Sequence, residues 1–301
     1  MELGAKLVGV LPGSTGTESE RETLSRERVA SPSARKQSQA VRGGSLIINA
    51  DDWGRDRETT DRIRECYERG GISSTSAMMF MEDSERAARL ALDLGIDTGL
   101  HLNFTTALSA AHCPAKLADH QQRLGSHLLR HRLAQVFLHP GLMRSFEYVV
   151  AAQCDEFRRL YGSSPTRVDG HHHMHLCENM LFQKLLPAGI LARRSFSFQP
   201  GEKSLANRMY RKTVDWRLAH RYRLTDYLFS LIPLTPATRL DRIRSLAQHS
   251  MVEVETHPIQ PEEYNFLTGK AFAAWTADLP IARGFESSAR RCKENAYGRN
   301  S

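Results

Sequence analysis

Between residues 45 and 260 the chain alternates short apolar, β-branched runs with longer segments whose apolar residues recur at helical spacing. Strand, helix, strand in that order confines a chain to an α/β fold with a mostly parallel sheet, because each helix is the crossover that returns the backbone to the next strand. The run Ser45-Leu46-Ile47-Ile48-Asn49-Ala50 reads as a buried strand. Asp61 to Arg69 carries Ile63, Cys66 and Tyr67 at helical spacing and stops at Gly70-Gly71. Ser74 to Phe80 is expected as a strand, Asp83 to Leu94 as an amphipathic helix ended by Gly95, and Asp97 to Phe104 as a third strand. A long helix is expected over Phe146 to Tyr161, with further strands at Pro165 to Asp169, Gly189 to Ala192 and Met251 to Thr256. A doubly wound sheet and a (β/α) barrel both satisfy this pattern. No glycine-rich phosphate loop follows the first strand, so the dinucleotide-binding reading has no support.

The flanks differ from this core. Residues 1–43 are rich in Ser, Thr, Glu, Arg and Gly and are expected to be a disordered polar extension or a misassigned start; residues 287–301 are expected to be a polar basic tail. That leaves 44–286 as one domain of the 301-residue, 34.0 kDa chain. No run approaches the ~18 apolar residues of a membrane-spanning helix, so integral membrane association is not expected. Cys66, Cys113, Cys154, Cys177 and Cys292 show no paired spacing, which argues against a disulfide framework or a Cys-ligated zinc and favours a reducing, cytoplasmic setting. The balance of 41 Lys+Arg against 34 Asp+Glu is modest, and nucleic acid is not an expected partner. Residues 193–223 are strongly basic, with nine Lys and Arg, and Tyr210, Trp216 and Tyr222 are interspersed among them. A solvated helical face is the plain reading of that segment; a surface for a phosphate-bearing substrate, a lipid-linked sugar or an anionic membrane is the sharper one. A homodimer is left open.

The informative positions are those that end the strands. The first run ends in Asp51-Asp52-Trp53-Gly54 and the third in Gly99-Leu100-His101-Leu102-Asn103. The fourth runs into Asp169-Gly170-His171-His172-His173-Met174-His175, and the late one ends in Glu255-Thr256-His257-Pro258. In a barrel of parallel strands these ends open on one face, so four strands would deliver acids and imidazoles to a single rim. Each element also has an ordinary reading: a turn or cap for Asp51-Asp52, a core histidine for His101, a surface loop for the cluster, a plain strand end for His257. Jointly they read as a metal site. If the cluster is extended, His171, His173 and His175 share one face. One carboxylate with two imidazoles suits a borderline divalent cation with an open position, and such a cation lowers the pKa of bound water toward ~7. A second carboxylate can then take a proton from that water and an opposing histidine can protonate a leaving amine. Asp51 and Asp52 fit the carboxylate roles if the strand end twists so that both reach the pocket, and His257 fits the last. A two-carboxylate glycoside hydrolase, a non-catalytic sugar- or metal-binding barrel and a 2-His-1-carboxylate iron oxygenase stay open on these residues alone.

Taken in order, the motifs resemble those of the YdjC-like carbohydrate deacetylases, which include the chito-oligosaccharide deacetylases. Asn49-Ala50-Asp51-Asp52-Trp53-Gly54 resembles N-A-D-D-F-G, with Trp53 for Phe, and Gly99 to Thr105 resembles G-L-H-L-N-L-T. Asp169 to His175 resembles D-S-H-x-H-x-H with Gly170 for Ser, and Glu255 to Ile259 resembles the late H-P-G element with Ile259 for Gly. The resemblance covers roughly residues 45–260. It implies a distorted (β/α) barrel of mostly parallel strands, one divalent metal ion (magnesium or zinc), and removal of the N-acetyl group from an amino sugar or oligosaccharide. Carried over residue by residue, it implies Asp52, His101 and His171 as metal ligands, with His173 the alternative to His171. It implies Asp51 as the catalytic base and His257 as the acid or oxyanion stabiliser. Trp53, Asn103, His173, His175 and Arg194 are expected to contact the sugar, Trp53 by stacking; Arg193 or Arg194, just past a strand, is expected to orient it by hydrogen bonding.

Overall fold

The structure, a computed structural model, describes residues 43–199 and 201–285. Apart from Gly43, the expected polar extension and the expected basic tail lie outside the described residues. Among the described residues seven strands form one sheet: β1 (Ser45–Trp53), β2 (Ser74–Ala77), β3 (Asp97–Leu102), β4 (Arg167–Gly170), β5 (Leu191–Ala192), β6 (Tyr227–Ser230) and β7 (Met251–Thr256). All pair in parallel, in the order β5-β4-β3-β2-β1-β7-β6. The two edges curl toward each other. Ala192 N–H donates to the Arg223 carbonyl (2.9 Å), Arg223 N–H to the Ile190 carbonyl (3.0 Å), and Ser197 N–H to the Leu228 carbonyl (2.9 Å). The result is an irregular, incompletely closed barrel, not a flat doubly wound sheet.

The crossovers are α1 (Arg57–Glu68), α2 (Ser84–Leu94), α3 (Ala115–Leu128), α4 (Met143–Tyr161), α5 (Glu178–Gln183), α6 (Leu205–Ala219) and α7 (Thr238–Ala247), followed by α8 (Pro261–Leu267) and α9 (Lys270–Thr276). Helix α1 starts four residues earlier than its apolar spacing predicts, because the Asp56 carboxylate accepts from Thr59 N–H (2.8 Å) and caps it. Strands β2 and β3 end at Ala77 and Leu102, short of Phe80 and Phe104. Helix α3, strand β6 and helices α7 to α9 are additions to the pattern read from the sequence.

Alternation along the strands builds two different interiors. Leu46, Ile48 and Ala50 of β1, Leu100 and Leu102 of β3, and Val252 and Val254 of β7 join one apolar cluster with the helices. Each of the Leu, Ile and Val side chains, fully enclosed, contributes about 1.5–3 kcal/mol. The intervening positions face inward and are polar above a small plug of Ile47, Leu191, Ala282 and Phe285. Arg167 reaches across this inner space: Nη1 donates to Asn49 Oδ1 and Ser76 Oγ (3.1 Å each) and Nη2 to the Thr75 carbonyl (2.9 Å). Gly99 makes that crossing feasible, since a Cβ there would lie 2.6 Å from Arg167 Nη1. A (β/α) barrel usually fills this space with branched aliphatic side chains; here it holds charge.

Candidate active site

At the end of β1 the register against β2 slips: Ala50 faces Thr75, but Trp53 faces Ala77. The extra residue is a bulge, which re-aims side chains at a strand end. Asp52 sits in it with φ 67°, a left-handed conformation that a non-glycine residue adopts only when its surroundings hold it there. This irregularity brings the consecutive Asp51 and Asp52 to the same pocket, where a regular strand would send them to opposite faces.

Asp52, His101 and His171 converge, each offering a ligand atom within 4.8 Å of the others. His101 Nδ1 lies 2.7 Å from Asp169 Oδ1, so this nitrogen carries the proton and Nε2 is turned to Asp52 Oδ1 at 3.3 Å. His171 Nδ1 lies 2.9 Å from the same oxygen. Asp52 Oδ1 and His101 Nε2 are nevertheless buried without a hydrogen-bond partner, which is the arrangement expected of donors aimed at a common cation. Burial works against ionisation of Asp52, yet the two imidazoles beside it hold its carboxyl well below the usual range. Burial likewise opposes a charge on His101, but Asp51, Asp169 and Asp52 push it up to about 10. The pocket therefore favours positive charge at that point, which a bound divalent ion would supply in place of the proton.

Beneath the triad, one guanidinium organises four carboxylates. Arg193, just past β5 and 2% exposed, donates from Nη1 and Nη2 to the two oxygens of Asp51 (2.6 and 2.7 Å) and from Nε to Glu253 (2.7 Å). Its Nη1 also reaches Glu255 (3.2 Å) and its Nη2 lies 3.0 Å from Asp169. Burial opposes the Arg193 charge, but these acids, Asp169 and Asp51 foremost, hold its pKa well above the ordinary value. Glu253, also buried, is raised by that burial despite Arg193. Asp51 is further fixed by Asn49, whose amide donates to Oδ1 at 2.9 Å. His257 Nε2 stands 4.0 Å from Asp51 Oδ2 with its side chain 31% exposed at the rim. Its backbone N–H donates to Glu263 (2.6 Å), a buried acid of α8 that also accepts from the Thr256 hydroxyl.

The histidine cluster is not extended. Residues 171–176 form a tight turn with left-handed backbone at His172 (φ 54°) and His173 (φ 57°), so the three alternate imidazoles diverge. His171 goes to Asp52, His173 Nε2 to Glu255 (3.1 Å), and His175 inward, where Nε2–H donates to the Arg193 carbonyl (3.0 Å). Of the expected sugar contacts, His173 alone remains at the rim, 26% exposed. His175 is buried, and Trp53 is fully enclosed with Nε1–H donating to the Ala87 carbonyl (3.1 Å), so neither ring offers a face to a sugar. Asn103 is buried as well: its side chain donates to the Thr106 carbonyl (2.7 Å) and accepts from the Thr105 and Thr106 N–H groups, pinning the turn after β3. Arg194 points away from the rim to Asp215 of α6 (2.8 Å) and to the Thr225 and Asp226 carbonyls ahead of β6. The arginine that contacts the inward carboxylates is its neighbour, Arg193. Asp169, Glu253 and Glu255 also lacked an assigned role; each occupies an inward position of a strand whose other inward neighbours are polar, and that alternation is the signal that marks them.

Residues 45–290 match the family described as YdjC-like protein. A chitooligosaccharide deacetylase of Serratia marcescens is 32% identical over 136 residues, 44% of this chain and 50% of that protein. One of Salmonella typhimurium is 31% identical over 170 residues, 56% of this chain and 60% of that protein. The chain thus spans half to three-fifths of the length of these curated relatives. A crystal structure from Enterococcus faecalis, described as that of a cellobiose-phosphate cleavage protein, superposes with a TM-score of 0.54 at 19% identity, covering 80% of this chain and 97% of that one, and shares the fold. The family match takes in every strand of the barrel and all the residues gathered at its rim, and on that ground the chain belongs to the YdjC-like protein family.

Proposed function

We propose that the chain removes the N-acetyl group from an N-acetylated amino sugar or oligosaccharide, with a divalent ion held by Asp52, His101 and His171. The observation that carries this reading is the pair of buried, partnerless atoms, Asp52 Oδ1 and His101 Nε2, facing the same point beside His171. The names of the relatives, chitooligosaccharide deacetylases, support the substrate class. A divalent ion in such a triad supplies a Lewis acid and makes a strong nucleophile of water near neutral pH.

The chain's own groups do the rest. Asp51, its carboxylate oriented by Arg193 and Asn49, takes the proton from the attacking water. Water oxygen bonds to the acetyl carbon and the C–N bond breaks. His257, on the open side of Asp51, gives a proton to the departing sugar amine, and acetate is the second product. His173, oriented by Glu255, lines the approach of the sugar. Cys66, Cys113, Cys154 and Cys177 are free, which supports a reducing compartment as the working location. A glycoside hydrolase using the two aspartates is less well supported, because that chemistry needs one acid kept protonated and Asp52 is held ionised.

Acetate release, screened over N-acetylated mono- and oligosaccharides with metal content assayed on the same sample, tests the reading. Asp51→Asn should retain metal and lose nearly all turnover, whereas His101→Ala should lose metal. Release that persists after complete chelation, or an Asp51→Asn protein as active as the parent, would overturn it.

A further inference from the structure

Helix α6 is docked on the barrel by two buried apolar side chains and by the ion pairs of Asp215 with Arg194 and Arg217 with Glu178, which leaves its outer face open. Of its fifteen residues only Val214 and Leu218 are buried. Leu205, Met209 and Trp216, at spacings of four and seven, share the opposite side of the helix and are 70%, 55% and 63% exposed. Soluble surfaces carry single exposed apolar side chains freely, but a stripe along one helix face marks an interaction site. Phe182 of α5, 53% exposed, extends it: Phe182 and Trp216 both line a hollow of about 600 Å³ rimmed by Lys184 and Arg221.

The charge on this face indicates what covers it. Residues 203–223 hold seven Lys and Arg and a single acid, Asp215, which is turned to Arg194. Arg208 and Lys212, on the outward side between and beside the apolar residues, have no ion-pair partner among the described residues. Apolar side chains including Trp, interleaved with long basic side chains whose stems lie along the helix, suit the boundary between headgroups and acyl chains of an anionic bilayer. A second copy of this chain would bring the same cations face to face, which disfavours it. We propose that α6, with Phe182, docks the protein peripherally on an anionic lipid surface. The helix is also tied to the rim: Arg211 lies over the Phe198 ring (5.0 Å), and neighbouring Phe196 packs on His173 (4.6 Å). Docking on this face therefore holds the site's mouth at a fixed attitude to the surface. The inference does not depend on the reaction proposed above.

Vesicle co-sedimentation of the full chain tests it, using phosphatidylglycerol in phosphatidylcholine against phosphatidylcholine alone. Binding is expected only with the anionic lipid, weakening as salt screens the charges. Removing two cations, as Arg208→Ser with Lys212→Ser, should reduce partitioning by ~30-fold, from about 1 kcal/mol for each basic side chain near the surface. Trp216→Ser should reduce it further and abolish any vesicle-induced shift in tryptophan emission, since Trp53 and Trp275 are buried. Lys212 and Trp216 are exposed and Arg208 is half-buried, so an unchanged melting temperature confirms that the variants are folded. Equal binding to both vesicle types, no binding to either, or binding indifferent to these substitutions overturns the proposal. So does a dimer in sedimentation velocity that Trp216→Ser dissociates, because the face would then belong to a second copy.

Discussion

The imidazoles of His171 and His173, two positions apart, serve different carboxylates: His171 Nδ1 lies 2.9 Å from Asp52 Oδ1, and His173 Nε2 lies 3.1 Å from Glu255 Oε2. The left-handed turn that contains His172 and His173 separates a residue facing Asp52 from one facing Glu255. His171→Ala should lower divalent-metal affinity by more than the ~10–100-fold typical of an outer-shell substitution. His173→Gln should leave that affinity nearly unchanged and lower kcat/KM. Calorimetric metal titration beside acetate-release kinetics separates the two, and equal metal loss in both variants would show that His173 is itself a ligand.

Arg193 offers a test of how the base is held. In Arg193→Met the carboxylates of Asp51, Asp169, Glu253 and Glu255 lose their common partner, and unfolding stability should drop by about 3–5 kcal/mol. Arg193→Lys keeps the charge but cannot form the two-pronged contact with Asp51. It should recover much of the stability while kcat stays far below the parent. Urea unfolding and steady-state kinetics on both variants check this; full activity in Arg193→Lys would mean that the fork does not matter.

The Trp53 ring is wholly enclosed and its Nε1–H is held by the Ala87 carbonyl. Trp53→Ala should cost about 3–5 kcal/mol by leaving a cavity. Trp53→Phe should cost less and leave KM for the sugar unchanged, because the ring touches the core and not the substrate. A large KM increase in a stably folded Trp53→Phe protein would argue that the ring reaches the pocket.

Stability should also depend on pH through His175. Burial, with the nearby charge of His173, lowers its pKa to about 3. As pH falls below the ordinary histidine value of ~6.5 the unfolded chain gains a proton that the folded chain refuses. Folding stability is thereby lost between ~6.5 and the folded value, by up to ~1.4 kcal/mol per pH unit. Replacing the group, as His175→Gln, should flatten this part of the stability profile relative to the parent. Urea midpoints across that range provide the measurement, and an identical slope in the two proteins would contradict it.

The α/β class and most strand positions were readable because buried strands write themselves as short β-branched runs, as Ser45–Ala50 and Met251–Thr256 do. The shorter β6 was not, since Tyr227–Ser230 has too few residues to show a period. Helix α6 was visible only as a basic segment, for its apolar residues lie on two opposite faces and blur the amphipathic pattern. Among site residues, Asp51, Asp52, His101, His171 and His257 stood out because acids and imidazoles at strand ends are chemically conspicuous. Arg193 and Arg194 could not be told apart from the sequence, because adjacent residues just past a strand point opposite ways and only the curled sheet says which one faces in.

By itself the sequence determined the alternation of strands and crossovers, the polar inward positions and the motifs that ally the chain with its family. Tertiary structure decided where each polar group goes. A one-residue bulge turns Asp51 and Asp52 to one pocket, a left-handed turn parts His171 from His173, and a single guanidinium draws together acids as distant in sequence as Asp51 and Glu255. Those outcomes depend on register and backbone handedness, which arise from contacts between segments far apart in the chain and leave no local trace in residue order.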